Sequence, residues 1–350
     1  YIANSYSEEE YDEELTKLGL SDKKYKEIID ILKNIHSNTP EKPELIKKLD
    51  YYPNRVAQRL RSSSRKNKLI GLVLPDIQNP FYVDVIRGVE EFAYLNNFAV
   101  MIGNFGQDEK KEKLYLEILQ SEEVDGFIVA PSHGKDQNIK KIINKEFSVV
   151  CIDRGLSEID VDVVKVDNEH GTFNAIEYLI SLGHRKIAHI TGRQDIPTTQ
   201  ERIIGFERAM NENDVKIDYN LIKTKKSDYQ SGVQLMGELL DLSDPPTAVF
   251  TANNLLTLGA LETIHKRGLN IPEDISIVGF DDMYWSNSLN PPLTAVRQSG
   301  YDVGKRAAEL LLQRIQNSTR SNISVIIKTK LMIRKSCKNI NVVKNISIAI

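Results

Sequence analysis

Residues 51–68, "YYPNRVAQRLRSSSRKNK", carry only positive charges: Arg55, Arg59, Arg61, Arg65, Lys66 and Lys68. The whole chain has a formal net charge of -3. A basic run in a slightly acidic chain suits an anionic partner, because such side chains neutralise phosphates and release their counterions. It also suits a solvated linker between domains. A second set of polar groups follows short apolar runs: Asp76, "NPFY" (79–82), Asn104, Ser132, Asp153-Arg154, Thr191 to Arg202, Asp228-Tyr229, Asn253-Asn254 and Asp281-Asp282. Carboxylates and amides bind hydroxyls, and a guanidinium fork spans two neighbouring oxygens. Aromatic faces stack on the apolar face of a sugar. This chemistry suits a neutral polyhydroxylated ligand, although polar residues also collect at strand ends for ordinary solvation.

The elements that must position these groups change character at residue 69. Residues 1–37 have a helical pattern and an acid-rich opening (Glu8, Glu9, Glu10, Asp12, Glu13, Glu14). The turn "SNTPEKP", a short helix "ELIKKL" and the basic run follow. Beyond them come strand candidates "LIGLVLP" (69–75), "FAVMIGN" (98–104), "GFIVAP" (126–131), "SVVCID" (148–153) and "VVKVD" (163–167). The series continues with "KIAHITG" (186–192), "NLIKTK" (220–225), "TAVFTAN" (247–253) and "ISIVGFD" (275–281). Several are nearly continuous apolar runs, as parallel strands buried on both faces require. Helix-period stretches alternate with them, such as "YVDVIRGVEEFAYLNN" and "NEHGTFNAIEYLISLGH". The second ends at Gly183-His184, a helix stop. His184 is expected at that helix end, favourable there when protonated. Repeated β-α units predict an α/β fold with parallel sheets and right-handed crossovers. The strands are too many for one open sheet, so two lobes are expected. Ligands of such sheets bind beyond the carboxyl ends of the strands, where the polar set lies.

The same inventory argues against other classes. No run reaches the roughly 20 apolar residues of a membrane helix. The N-terminus has no basic and apolar export pattern, and it opens on Tyr1 rather than Met, as a trimmed or partial chain does. Cys151 and Cys337 match no metal spacing, and neither a metal nor a cofactor is expected. A cytoplasmic setting fits. No GxSxG, Walker, HExxH or CxxC motif is present. Asp281 and Asp282 do not make a glycosidase pair, because neighbours on one strand point to opposite faces. The chain is not expected to be an enzyme.

The motifs "YYPNRVAQRLR", "IGLVLPDIQNPFY", "VDGFIVAP", "DNEHGTFNAIEYLISLGHRKIAHITG", "ERIIGFERAM", "DISIVGFDD" and "NPPLTAVRQ" occur in this order. In that order and spacing the chain resembles the LacI/GalR family of bacterial transcriptional repressors, from about residue 39 to residue 336. The resemblance implies a type I periplasmic-binding-protein-like core: two doubly wound lobes around a ligand cleft, crossed by three strands. It implies residues 1–52 as an atypical helical N-terminal segment and 53–67 as a hinge helix and linker. The core is expected over 68–336, with one lobe at about 68–167 and 297–322 and the other at about 168–296 and 323–336. Residues 337–350 are expected as a C-terminal tail.

The resemblance gives the basic run a role as a hinge helix on operator DNA. Leu60 is the apolar wedge that unstacks and bends the duplex, Asn54 and Ala57 match contact positions, and Arg55 and Arg61 face phosphates. It places effector contacts at Asp76, Phe81 (with Tyr82 beside it), Arg154, Arg202, Tyr229, Asn253 and Asp281. The implied partners are operator DNA, a small effector such as a sugar, and a second copy of the chain paired through "YVDVIRGVEEFAYLNN". An anionic effector would want more cations; Asp76, Asp153 and Asp281 favour a neutral one. The chain departs from the pattern before the hinge. There "KLGLSDKKYKEIIDIL" (17–32) stands where relatives carry a helix-turn-helix of the form "AGVSxxTVSRVL". Glu27 replaces the usual Arg, and a carboxylate facing phosphates costs affinity. A diverged reader, a replaced module and a lost reading head all remain open, the last leaving a dimeric sugar-binding core without operator reading.

Overall fold

The computed structural model describes residues 67–132 and 137–341. The hinge positions Asn54, Arg55, Ala57, Leu60 and Arg61, the segment 1–52, His133 and residues 342–350 lie outside the described residues. The first lobe is built from β1 (Leu69–Leu74), α1 (Pro80–Leu95), β2 (Ala99–Asn104), α2 (Glu109–Ser121), β3 (Gly126–Val129), α3 (Gln137–Asn144), β4 (Ser148–Ile152) and β5 (Asp162–Val166). The second follows with α4 (Asn168–Ser181), β6 (Ile187–Thr191), α5 (Pro197–Glu212), β7 (Ile222–Thr224), α6 (Tyr229–Leu240), β8 (Ala248–Thr251), α7 (Asn254–Lys266), β9 (Ser276–Phe280) and β10 (Thr294–Arg297). Then come α8 (Gly300–Gln316), β11 (Ser324–Ile327) and β12 (Lys330–Met332).

Two six-stranded sheets result, ordered β11-β5-β4-β3-β1-β2 and β12-β10-β9-β8-β6-β7. All pairings are parallel except β10 with β12. Every residue of β1, β3, β6, β8 and β9 is buried, which accounts for their unbroken apolar runs. Each sheet is covered on both faces. In the first lobe α1 and α8 pack one side and α2 and α3 the other. In the second, α4 and α5 pack one side and α6 and α7 the other. The contact of α1 with α8 depends on glycine: a Cβ on Gly88 would lie 2.1 Å from the Tyr301 carbonyl oxygen, and one on Gly304 2.1 Å from that of Val85.

The chain passes between the sheets three times: from β5 to α4, from β10 to α8, and from β11 to β12. The third passage corrects the expected boundary at 322/323. Strand β11 pairs with β5 in the first sheet, in the register Ser324 to Val163 through Ile327 to Val166. The crossing therefore falls after Ile327. The physical reason is a clamp. Asp162 is fully buried and bound by Arg314 Nε at 2.9 Å and Arg320 Nη2 at 2.6 Å, and it accepts the Ile323 backbone N–H at 2.8 Å. That clamp fastens the start of β11 to β5.

Two further expectations are corrected. Residues 337–341 are not a free tail. Cys337 packs against the second-lobe core, the Ile340 N–H donates to Leu182 O at 2.8 Å, and Asn341 Nδ2 donates to Ser181 O at 3.0 Å. His184 follows helix α4 as expected, but it is buried, with Nδ1 2.9 Å from Thr247 Oγ1 and Nε2 3.1 Å from Lys338 O. Burial pushes its pKa below the usual histidine value, so the neutral ring is favoured over a charged helix end.

Candidate functional site

A cleft of about 1030 Å³ opens between the lobes at the carboxyl ends of the strands. Its lining includes six of the seven expected effector residues: Asp76, Phe81, Arg154, Arg202, Asn253 and Asp281. Tyr229 is the exception. Asp228 caps helix α6, accepting the Ser231 N–H at 2.8 Å, and lines the cleft; Tyr229 is already the first helical residue and stands exposed outside it.

Several strand-end residues double as helix caps. Asn79 accepts the Phe81 N–H at 2.9 Å and so starts α1. Asn253 accepts the Leu256 N–H at 2.8 Å and donates Nδ2 to Ser227 O at 3.1 Å. Asp76 accepts the Gln78 N–H at 2.9 Å. The ordinary structural role and a place in the cleft are therefore combined in the same side chains.

The floor of the cleft holds two aspartates in equivalent places. Asp153 follows β4 and Asp281 follows β9, the third strand in each sheet order. Both are buried, and both adopt left-handed backbone angles, φ 66 and φ 78. Asp tolerates that region better than bulky residues do, and the turn aims each carboxylate off the strand end. In the first lobe Asp153 Oδ2 accepts from Tyr82 Oη at 3.0 Å and from Arg154 Nε and Nη2 at 3.1 and 2.8 Å. Arg154 Nη1 also donates to Ser132 O at 3.4 Å. Burial pushes the Tyr82 pKa up and the adjacent Asp153 charge adds to it, so the phenol keeps its proton and donates. Burial opposes the Arg154 charge, but Asp153 more than restores it, and the net shift is upward.

In the second lobe the acid and the base stay apart. Asp281 accepts from Gln298 Nε2 on one oxygen and from the Asn254 N–H (3.2 Å) and Nδ2 (3.3 Å) on the other. Arg202 donates Nε and Nη2 to Asn168 Oδ1 at 3.0 and 2.9 Å, donates Nη1 to Ala252 O, and lies 3.8 Å over the Phe280 ring. Burial raises the Asp281 pKa, with Arg202 offsetting part of it; burial lowers the Arg202 pKa, with Asp281 and Asp153 offsetting part. The two charges feel each other without an ion pair forming between them. Arg202 has five N–H groups, and its three bonds leave two for a ligand.

Asp282 turns away from this site, beyond the left-handed turn at Asp281 that follows β9. It is buried and binds Arg334 at 2.7 Å and Arg297 at 2.6 Å. Asp153 and Asn254 belong to the polar set that follows the apolar runs but not to the expected effector contacts; Asn168 and Gln298 are in neither, and the contact of Asn254 Nδ2 with Asn79 Oδ1, which joins the lobes at 2.9 Å, was not foreseen. Asn168 had no signal beyond a helix start. No group of acids, histidines and cysteines among the described residues is arranged to hold a metal.

Residues 176–337 match the family described as a periplasmic binding protein-like domain. Over 300 residues the chain is 33% identical to the HTH-type transcriptional repressor PurR of Mannheimia succiniciproducens, covering 85% of this chain and 89% of that protein. A putative transcriptional regulator LacI from Bacillus cereus subsp. cytotoxis superposes with a TM-score of 0.74 at 31% identity, over 79% of this chain and 99% of the other. A LacI family transcriptional regulator from Enterococcus faecium, solved with bound ribose, gives 0.70 at 30% identity, over 78% and 99%.

Proposed function

Because the chain belongs to the LacI/GalR family of bacterial transcriptional regulators, we propose that it is a cytoplasmic repressor whose operator affinity is set by a neutral sugar bound between its lobes. One observation carries the choice of effector. The buried charges on the cleft floor are Arg154, Arg202, Asp153 and Asp281, which sum to zero, and the unpaired Arg202 and Asp281 present donors and acceptors to the same space. A neutral polyol can bridge them without adding charge to a buried site, whereas an anion would be left uncompensated. The ribose bound in the Enterococcus faecium regulator accords with this chemistry.

The chain acts as a homodimer in this reading. Helix α1 leaves Val83, Tyr94 and Leu95 exposed, Tyr94 at 73%, and the neighbouring edge strand β2 exposes Ile102. A dimer paired through this apolar strip carries two copies of the basic 51–68 run, whose charge suits DNA phosphates. Sugar binding alters operator affinity in this reading, which requires only that the sugar prefer one lobe arrangement.

The test is a thermal-shift screen of neutral mono- and disaccharides against sugar phosphates, followed by DNA anisotropy titrations across a salt series. Selective binding to fragments from the protein's own gene neighbourhood, altered by a neutral sugar hit, is the expected result. Stabilisation by sugar phosphates alone would sink the neutral-effector reading. Equal, salt-labile binding to every DNA fragment would leave the alternative of a sugar-binding core that no longer reads an operator. The acids at 8–14 and Glu27 motivate that alternative.

A further inference from the structure

Arg202 is the effector-facing cation, yet no acid holds it. Its main partner is Asn168, the first residue of α4 and the landing point of the first crossing between the lobes. Asn168 is buried at 1% exposure. Its carbonyl Oδ1 accepts two N–H bonds from Arg202, and its Nδ2 donates to Glu201 Oε2 at 2.8 Å and, at 3.5 Å, to Val166 O. Opposite charges at its two ends fix the amide orientation: oxygen toward the guanidinium, nitrogen toward the carboxylate. The other oxygen of Glu201 receives Lys165 Nζ at 3.2 Å. Lys165 lies on β5 of the first lobe and Glu201 on α5 of the second, so this ion pair spans the lobes beside the crossing.

We propose that Asn168 is a positioning residue for effector recognition, which presents the Arg202 fork to the cleft and ties that presentation to the first lobe through Glu201 and Lys165. The proposal rests on the cleft reading above and adds the control of its main cation. A neutral amide is suited to this task. It fixes the plane of the guanidinium through two donated bonds but leaves the charge available to a ligand. A carboxylate in the same place would neutralise Arg202 and face Glu201 with a second negative oxygen. Because Asn168 sits on the crossing segment, a change in lobe angle displaces the group that aims Arg202. The Lys165–Glu201 pair, with both side chains about one-third exposed, biases that angle and is open to screening by salt.

The experiment uses the full chain with nitrogen-15-labelled arginine, and follows the Arg202 side-chain Nε–H signal, identified by its loss in Arg202→Lys. D-Ribose and cellobiose serve as calorimetric probes at low and high salt. Asn168→Ala and the isosteric Asn168→Asp are expected to shift the Arg202 signal. They should weaken sugar binding about tenfold or more, the range of one charge-assisted hydrogen bond, with a cooperative melting transition in each variant reporting that the fold is kept. Lys165→Met is expected to keep the Arg202 signal, to weaken binding by up to about fivefold, and to abolish the salt dependence of binding. A neutral sugar has no charge of its own to screen, so that dependence reports the ion pair. An unmoved Arg202 signal in both Asn168 variants overturns the positioning role, whatever the sugars do. Salt dependence that persists in Lys165→Met overturns the link to the first lobe. If neither sugar binds the wild type but Asn168→Asp moves the Arg202 signal, positioning stands and the sugar reading falls.

Discussion

The two lobes share one strand order and spend the same chemistry differently. Each ends its third strand on a buried, left-handed aspartate, and each brings a buried arginine to the cleft. In the first lobe the pair is adjacent in sequence, Asp153-Arg154, and closed on itself with Tyr82. In the second, Arg202 and Asp281 come from different elements and bind amides and a carbonyl instead of each other. Under the proposed function, the difference says where recognition resides. A closed pair is rigid and already satisfied; a separated pair keeps bonding capacity for a ligand. The lobes also share a device away from the cleft, a buried acid clamped by two arginines. Asp162 with Arg314 and Arg320 holds β11, and Asp282 with Arg297 and Arg334 sits beside β12.

The clamps provide the largest expected effect. Asp162→Ala should lower stability by about 3–5 kcal/mol, the cost of leaving the mostly buried Arg314 and Arg320 without their acid. Asp282→Ala should cost less, because Arg297 is half exposed and water replaces its partner. Urea denaturation would read both; a loss below about 1 kcal/mol in Asp162→Ala would break the clamp. Next come the arginines. Arg202→Ala should weaken sugar binding by about 10- to 100-fold, the worth of charged hydrogen bonds. Arg154→Ala should act first on stability, because it strands Asp153. Calorimetry and melting together decide it, and the reverse ranking would refute the division of labour.

Asn253→Ala removes a helix cap and should cost about 1 kcal/mol, with sugar affinity lowered less than in Arg202→Ala. A midpoint unchanged in denaturant would show that the cap bond contributes nothing.

The smallest effect is in pH dependence, where two buried acids should oppose each other. Burial pushes the Asp162 pKa up, but its arginine bonds outweigh burial and hold it below the ordinary value. Its stabilisation is therefore present above the unfolded-state pKa and lost as pH falls through the folded one. The Asp281 pKa is raised, chiefly by burial. Its contribution is present below the unfolded pKa and is lost as pH rises through the folded one. Melting temperatures in the acid range should show a flatter acid decline for Asp162→Asn and a steeper one for Asp281→Asn. Matching slopes in the two variants would contradict the assignment.

Strands β1 to β9 were visible in the sequence because most are buried on both faces and so had to be apolar throughout. Strands β10 to β12 are three or four residues long, and β11 and β12 are only half covered. Val325-Ile326-Ile327 of β11 is an apolar run, but Ser324 and Lys328 bound it closely on either side. Six cleft residues were implied by the family resemblance, and the rule that ligands sit beyond strand ends in parallel sheets points to the same region. Tyr229, implied by the resemblance alone, stands exposed outside the cleft that its neighbour Asp228 lines. His189 gave no warning either: it is fully buried between Phe206 and Phe250, its ring nitrogens have no hydrogen-bond partner, and burial pulls its pKa down to about 3.

The sequence by itself determined the α/β class, the two-lobe division, the family and most of the cleft lining, because these follow from local runs of apolar residues and the groups that end them. Tertiary structure alone decided which sheet took β11, which arginine was paired with an acid and which was bonded to amide and carbonyl oxygens instead, and that Asn168 joins Arg202 to Glu201. Those outcomes depend on distances between residues far apart in the chain. Hydrogen bonds select partners within about 3 Å, and no local pattern encodes such a distance.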